Sequence, residues 1–227
     1  LAAVAVLTLA ACGTKEATNT SKVDPETFTY AIDGDPSSTN PINTSDRWGL
    51  TLTNILYSPL IRVEPDGTYV NELAESYEIA EDGLSITVKL RQDVKWSDGE
   101  DFNADDVLFT YAQKVKKENG NAASLHINDQ PVQLEKEDDY TVKFILPAVS
   151  APALDNIVTE TYIIPEHVYK DEPDFSVSQL ENTPVGTGPY KFVEYKHGQY
   201  IKLEANEHYY KGEPEIDHLV LRIITSA

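Results

Sequence analysis

The chain has 227 residues, 41% hydrophobic and 25% charged, with 38 acidic residues against 18 Lys and Arg and a net charge of −20. That composition excludes a fibrous or disordered chain and allows one large or two ordinary domains. So acidic a surface repels phosphate backbones, which argues against nucleic acid as a partner.

Residues 1–11, LAAVAVLTLAA, are apolar and small. A bilayer-spanning helix needs roughly 20 apolar residues, so this run reads as the remnant of a secretory leader. It runs into Leu9–Cys12, LAAC, where Cys12 is the sole Cys of the sequence. Leu, two small residues and a Cys form the pattern of a bacterial lipidation site. Cys12 is therefore expected to carry a lipid anchor to the membrane, with several acyl chains giving stable attachment. Residues 12–26 then read as the lipidated Cys and a flexible tether, polar and without periodicity. The sequence contains no Met, so the start and the basic part of the leader are expected to be missing.

The body opens on TFTYAI, Thr27–Ile32, an alternating strand broken by the turn cluster DGDPSSTNP. Leu52, Ile55, Leu56 and Leu60 take helix-like spacing before Pro59 interrupts, which predicts a short helix from about Asp46 to Leu56. Three Asp-Gly pairs follow at equal spacing, Asp66-Gly67, Asp82-Gly83 and Asp98-Gly99, each a hairpin signal, and together they predict a meander. Ile86, Val88 and Leu90 alternate with Thr87, Lys89 and Arg91, as in a half-buried antiparallel strand. Asn103 is expected to cap a helix with Asp105 and Asp106 in its first turn. The apolar stripe of that helix is Leu108, Tyr111, Ala112 and Val115, and Lys114, Lys116 and Lys117 load its C-terminal end. Trp96 reads as a packing anchor. ENGNAASLHINDQ reads as a loop, EKEDD (135–139) as a solvated turn and Tyr140–Leu146 as a strand. APALDNIV is expected to be a short helix, and ETYIIPEHVYK a strand running into a Pro-started turn. Val185–Tyr210 should form a hairpin around His197-Gly198, and Ile216–Ile224 a long buried strand. The end at Ala227, straight after that strand, is expected to be a second truncation.

No catalytic set emerges. His126, His167, His197, His208 and His218 make no zinc spacing, and no nucleophile elbow is present. VGTGPY lacks the Lys of a phosphate loop, so its glycines are expected to allow a tight strand entry. DGDPSSTN lacks the Gly and Glu of a calcium loop. The expectation is a binding protein, not an enzyme, with no cofactor and no metal.

The stretch Glu72–Val115 closely resembles the family-5 solute-binding proteins of ABC transporters, the peptide- and nickel-binding group. The matching residues are Ala74, Tyr77, Asp82-Gly83, Thr87–Arg91, Val94–Gly99 and Ala104–Asp106. VGTGPYKFVEY and LEANEHYYKGEPEIDHLVLRII match a second motif. The resemblance implies an α/β, two-lobed fold like that of periplasmic binding proteins, of which only the first lobe and an extra subdomain are present. Residues 27–57 and 183–227 would form the first lobe, and 58–182 the subdomain. It also implies a lipoprotein receptor, a monomer on the extracellular face of a Gram-positive cell membrane, which captures oligopeptides and delivers them to the ABC permease subunits. A nickel-chelate or other small-solute receptor, or a peptide sensor in signalling, stays open. The resemblance implies that the signature stretch lies off the ligand. The ligand is expected instead against Ile32, Asp33, Gly34 and Asp35 at the end of the first strand, and against Asn43, Asp46, Arg47 and Trp48 of NTSDRW. There Arg47 and Trp48 would hold a carboxylate or pack a side chain.

Overall fold

The structure is a computed structural model that describes residues 26–119, 122–159, 161–172 and 183–224. The expected leader, Cys12 and the tether up to Pro25 lie outside the described residues. In chain order, β1 (Thr27–Ile32) leads through an arch to α1 (Arg47–Leu56). A short ribbon follows, β2 (Ile61–Val63) and β3 (Tyr69–Asn71), and then β4 (Ala74–Ile79), β5 (Ser85–Leu90) and α2 (Ala104–Lys114). The middle of the chain adds β6 (His126–Ile127), β7 (Gln130–Pro131), β8 (Gln133–Asp138), β9 (Thr141–Ile145) and a π-helical turn, Leu154–Thr159. The last elements are α3 (Glu166–Tyr169), β10 (Tyr190–Lys196), β11 (Tyr200–Ala205) and β12 (His218–Ile223).

Two sheets organise these elements. The first runs β1-β12-β11-β10, with β1 parallel to β12 and the other pairs antiparallel. It joins the two ends of the described body in one layer. Ile32 of β1, Ile201 and Leu203 of β11 and Leu219, Leu221 and Ile223 of β12 form a core with Leu52 and Leu56 of α1. The second sheet runs β4-β5-β9-β8, antiparallel throughout. Its core holds Ile86, Val88 and Leu90 of β5 across from Val142 and Phe144 of β9, closed by Trp96, Phe102 and Tyr111. Trp96 is fully buried and its Nε1 donates to Asp106 at 3.2 Å, so it is the packing anchor expected of it.

The turn and cap chemistry acts as the sequence dictates. Gly67, Gly83 and Gly99 all sit at positive φ, the conformation that Asp-Gly turns require. The three turns do not build one meander, however. The first closes the separate β2–β3 ribbon and the second the β4–β5 hairpin, while the third lies within an isolated Lys95–Asp101 bridge outside either sheet. Asn103 and Asp106 form a reciprocal capping box on α2, which satisfies two otherwise orphaned N–H groups.

Several expectations are corrected. The buried face of α2 is Ala104, Asp106, Val107, Thr110, Tyr111 and Lys114, while Ala112 is exposed. The helix is covered on two sides, by β8 and β9 and by α3, so polar residues are buried as well. Lys114 is not a solvated charge at the helix end, since its Nζ donates to Thr161 Oγ1 at 2.6 Å. Residues 133–138 are an edge strand, not a turn, because their charges face solvent along the free side of β8. ENGNAASLHINDQ contains the β6–β7 ribbon, turned by Asn128 and Asp129 at positive φ. The strand expected in ETYIIP reduces to one Pro59–Tyr162 bridge. β12 alternates burial along its length, because only one face of its sheet is covered.

Candidate functional site

β1 ends where the chain must turn back to start α1, and Asp46 fixes that turn. Its Oδ1 accepts from the N–H groups of Trp48 and Gly49 at 2.9 and 3.1 Å, capping the helix. Its Oδ2 accepts from the Ser37 N–H at 2.9 Å and from the Ser37 hydroxyl. Burial pushes the Asp46 carboxyl up, but these donors outweigh it and hold the pKa at about 2. An Asp whose pKa is depressed on folding contributes stability that is present above its ordinary value of 3.8 and lost as pH falls through about 2. Asp46→Ala is expected to cost about 1–2 kcal/mol at neutral pH through loss of the cap. The difference from the natural chain should close between pH 3.8 and about 2 in denaturant titrations.

The cap presents Trp48 in a fixed pose. Its Nε1 donates to Asp33 Oδ1 at 2.5 Å, the Tyr30 ring meets it edge-on at 6.2 Å, and the Arg47 guanidinium lies 4.7 Å from its centroid. Trp48 is half-buried and Arg47 and Asp33 are exposed. An aromatic ring with a polar rim is thus held ready at the open end of the first sheet. Gly34 borders it with open space where a side chain would project.

The other sequence-selected residues make contacts within the fold. Ile32 is 2% exposed in the first core, and its carbonyl accepts from Ile224 N–H. Asp35 Oδ1 accepts from the Gly198 N–H and the Tyr195 hydroxyl, each at 2.8 Å, tying the arch to the β10–β11 turn. The Gly198 N–H is the main reason that its carboxyl lies below the ordinary range. The Asn43 N–H closes a turn on Asn40 O at 3.1 Å. The structure therefore brings Asp33, Gly34, Arg47 and Trp48 together at the surface; Asp35 is exposed as well, Asn43 and Asp46 are half-buried, and Ile32 lies in the core.

A cavity of about 390 Å³ opens along the flank of α1. One wall includes Thr44 of the arch and Leu50, Thr53 and Asn54 of α1. The facing wall includes Arg62, Lys114, Thr159 and Tyr162, from β2, α2 and the segment around the π-helical turn. None of the sequence-selected residues lines it. Leu50, Thr53 and Asn54 share the i, i+3, i+4 spacing of one helix face. Of the facing residues Tyr162 lies 108 positions from Asn54, beyond the reach of any local signal. Among the described residues no group of three His, Cys, Asp or Glu converges as a metal site, and no helix is long and apolar enough to cross a membrane.

Comparison with known proteins places this architecture. The family model for bacterial extracellular solute-binding proteins, family 5, matches residues 68–227. The oligopeptide-binding protein AppA of Bacillus subtilis is 34% identical over 198 residues, covering 86% of this chain and 36% of AppA. The solved structure of AppA in complex with a nonapeptide superposes with a TM-score of 0.80 at 32% identity, over 87% of this chain and 40% of that one. The ABC transporter substrate-binding protein CtaP of Listeria monocytogenes superposes at 0.82 with 38% identity, over 88% and 41% of the two chains. NikZ of Campylobacter jejuni, in complex with Ni(L-His), superposes at 0.78 with 30% identity, over 89% and 40%. The chain belongs to the family-5 bacterial extracellular solute-binding proteins. It spans less than half the length of these relatives.

Proposed function

We propose that the full-length protein carrying this chain is the ligand-capturing receptor of an ABC importer for oligopeptides. The observation that carries this reading is the likeness to AppA, whose solved complex holds a nonapeptide. In this reading residues 27–57 and 183–227 form one lobe and 58–182 a subdomain packed on it, in keeping with the two sheets and their two cores. The open end of the first sheet, with Asp33, Gly34, Arg47 and Trp48, is one wall of the ligand cleft. The part of the relatives' length that this chain does not match supplies the opposing wall. Cys12 anchors the receptor by lipid to the outer face of the cell membrane, where a monomer hands peptide to the permease. The protein binds and releases its ligand without turning it over.

The NikZ likeness supports a second reading, a receptor for a chelated metal. Native mass spectrometry of the full-length protein, made without its lipid, separates the two. A set of peptide masses released on denaturation is the expected result, and a single metal-containing adduct would replace the peptide reading with the chelate one. Trp48 gives a sharper test. Truncating an oriented aromatic anchor typically costs about 1–2 kcal/mol of binding. Trp48→Ala is therefore expected to weaken binding of the recovered peptides roughly tenfold in calorimetry. Unchanged affinity would remove this wall from the cleft.

A further inference from the structure

Asp33 and Gly34 lie between two anchors. On one side the Ile32 carbonyl accepts from the Ile224 N–H at 2.8 Å, just past the end of β12. On the other side Asp35 Oδ1 accepts from the Tyr195 hydroxyl and the Gly198 N–H, each at 2.8 Å. Asp35 and Tyr195 are 160 positions apart in the chain. Gly34 itself has no atom within 4 Å of where a side chain would begin, and glycine has the freest backbone of all residues. The path of the chain through Asp33 is therefore set by its flanks.

That path matters for Trp48. Asp33 Oδ1 accepts from the indole Nε1 at 2.5 Å. An indole has a single donor, so this bond selects one orientation of the ring. A line of contacts thus runs from Tyr195 to Asp35, along the backbone to Asp33, and across to Trp48. The far end of the line is itself well held. The turn between β10 and β11 places Gly198 at a φ of 69°, and Gln199 O accepts from the Ile223 N–H at 2.9 Å, which fastens the turn to β12. The Tyr195 ring packs against the first core and lies 4.0 Å from the His197 ring.

We propose that Tyr195 is a positioning residue of the ligand wall. Its hydroxyl, with the Gly198 N–H, fixes Asp35, and through the backbone to Asp33 it sets the pose of Trp48. A hydrogen bond to a carboxylate is strong enough for that task. The inference rests on the peptide-receptor reading above, which makes Trp48 part of the wall.

Tyr195→Phe tests it on the full-length protein, since it removes the hydroxyl and keeps the packed ring. Tyr200→Phe is the control, because the Tyr200 hydroxyl donates to Glu194 Oε1 at 3.1 Å, a carboxylate of the same hairpin and not of the arch. Fluorine NMR of protein labelled with 5-fluorotryptophan reads the ring, and the Trp48 signal is the one missing from Trp48→Phe. Tyr195→Phe is expected to shift or broaden that signal, and Tyr200→Phe to leave it in place. Calorimetry with penta-alanine is the second readout. Tyr195→Phe should weaken binding roughly threefold to tenfold, in the range of coupling carried by residues that touch no ligand. In a Trp48→Ala background the same change should cost less than about twofold, because its effect runs through the ring. An unmoved Trp48 signal, or a loss of affinity repeated in full in the Trp48→Ala background, overturns the positioning role alone. Failure of the natural protein to bind penta-alanine overturns the peptide-receptor reading and the positioning role with it.

Discussion

Gly186→Ala is expected to cost about 3–5 kcal/mol of folding stability, at the severe end for a single substitution. The reason is where VGTGPY passes. α1 ends at Leu56, and the last carbonyls of a helix need partners from outside it. The segment 186–188 supplies one, with the Gly188 N–H donating to Leu56 O at 2.9 Å. That bond demands close approach. A Cβ on Gly186 would lie 1.8 Å from Leu56 O and 2.7 Å from its carbonyl carbon, and one on Gly188 would lie 2.3 Å from Ile55 O. These are backbone atoms of a packed helix, so nothing can rotate aside. Ordinary overpacking against side chains costs about 1–3 kcal/mol, and displacing the end of α1 should cost more. Native stability is typically about 5–15 kcal/mol in total, so much of the chain's margin would go. Gly34→Ala is the control. No atom lies within 4 Å of the added carbon, and the change should stay within about 0.5 kcal/mol. Urea unfolding of the two variants measures the contrast. A Gly186→Ala midpoint equal to that of Gly34→Ala would mean that the crossing is not tight.

The same crossing explains what was legible in the sequence. WSDG and VGTG, the two stretches that carry the family resemblance, meet in space. The Ser97 N–H donates to Gly186 O at 2.9 Å, and the Gly186 N–H to Ser97 Oγ at 3.3 Å. Local rules located β1, the start of α1 at Asp46, the cap at Asn103 and the turn at Gly198, because each depends on a few neighbouring residues. What failed depended on distant partners. Lys114 reads as a helix-end charge until the segment around Thr161 folds over it. Residues 135–139 read as a turn because an edge strand carries the same charges. All four residues of the candidate wall, Asp33, Gly34, Arg47 and Trp48, were expected from the family resemblance. The cavity was not, since its walls come from α1 and from β2, α2 and the segment around Tyr162, far apart in the chain.

Glu72→Gln should be the other large loss, and a pH-dependent one. Glu72 is 5% exposed, yet it holds together residues far apart in the chain. Arg62 Nε donates to its Oε1 at 2.9 Å, the Tyr210 hydroxyl to its Oε2 at 2.6 Å, and Lys211 Nζ forms an ion pair with that same oxygen. The carboxylate thus fastens the segment after β11 onto the β2–β3 ribbon. Gln keeps the shape but leaves two cations facing a neutral amide. Breaking a fully buried pair costs about 3–5 kcal/mol. Here the Arg62 and Lys211 side chains are 47% and 35% exposed, and solvent screening should reduce the loss to about 2 kcal/mol. Burial pushes the Glu72 carboxyl up, but Lys211, Tyr210 and Arg62 together hold it below its ordinary value of 4.5. A depressed folded-state pKa means that the stabilisation is full above that ordinary value and is lost as pH falls through the folded one. Denaturant titrations of the natural chain and Glu72→Gln should therefore differ most at neutral pH and converge below pH 4.5. A gap that stays constant into acid would mean that shape, and not charge, fastens the two segments. Lys211→Met would then be expected to leave stability unchanged, whereas the ion-pair account requires it to lose stability alongside Glu72→Gln.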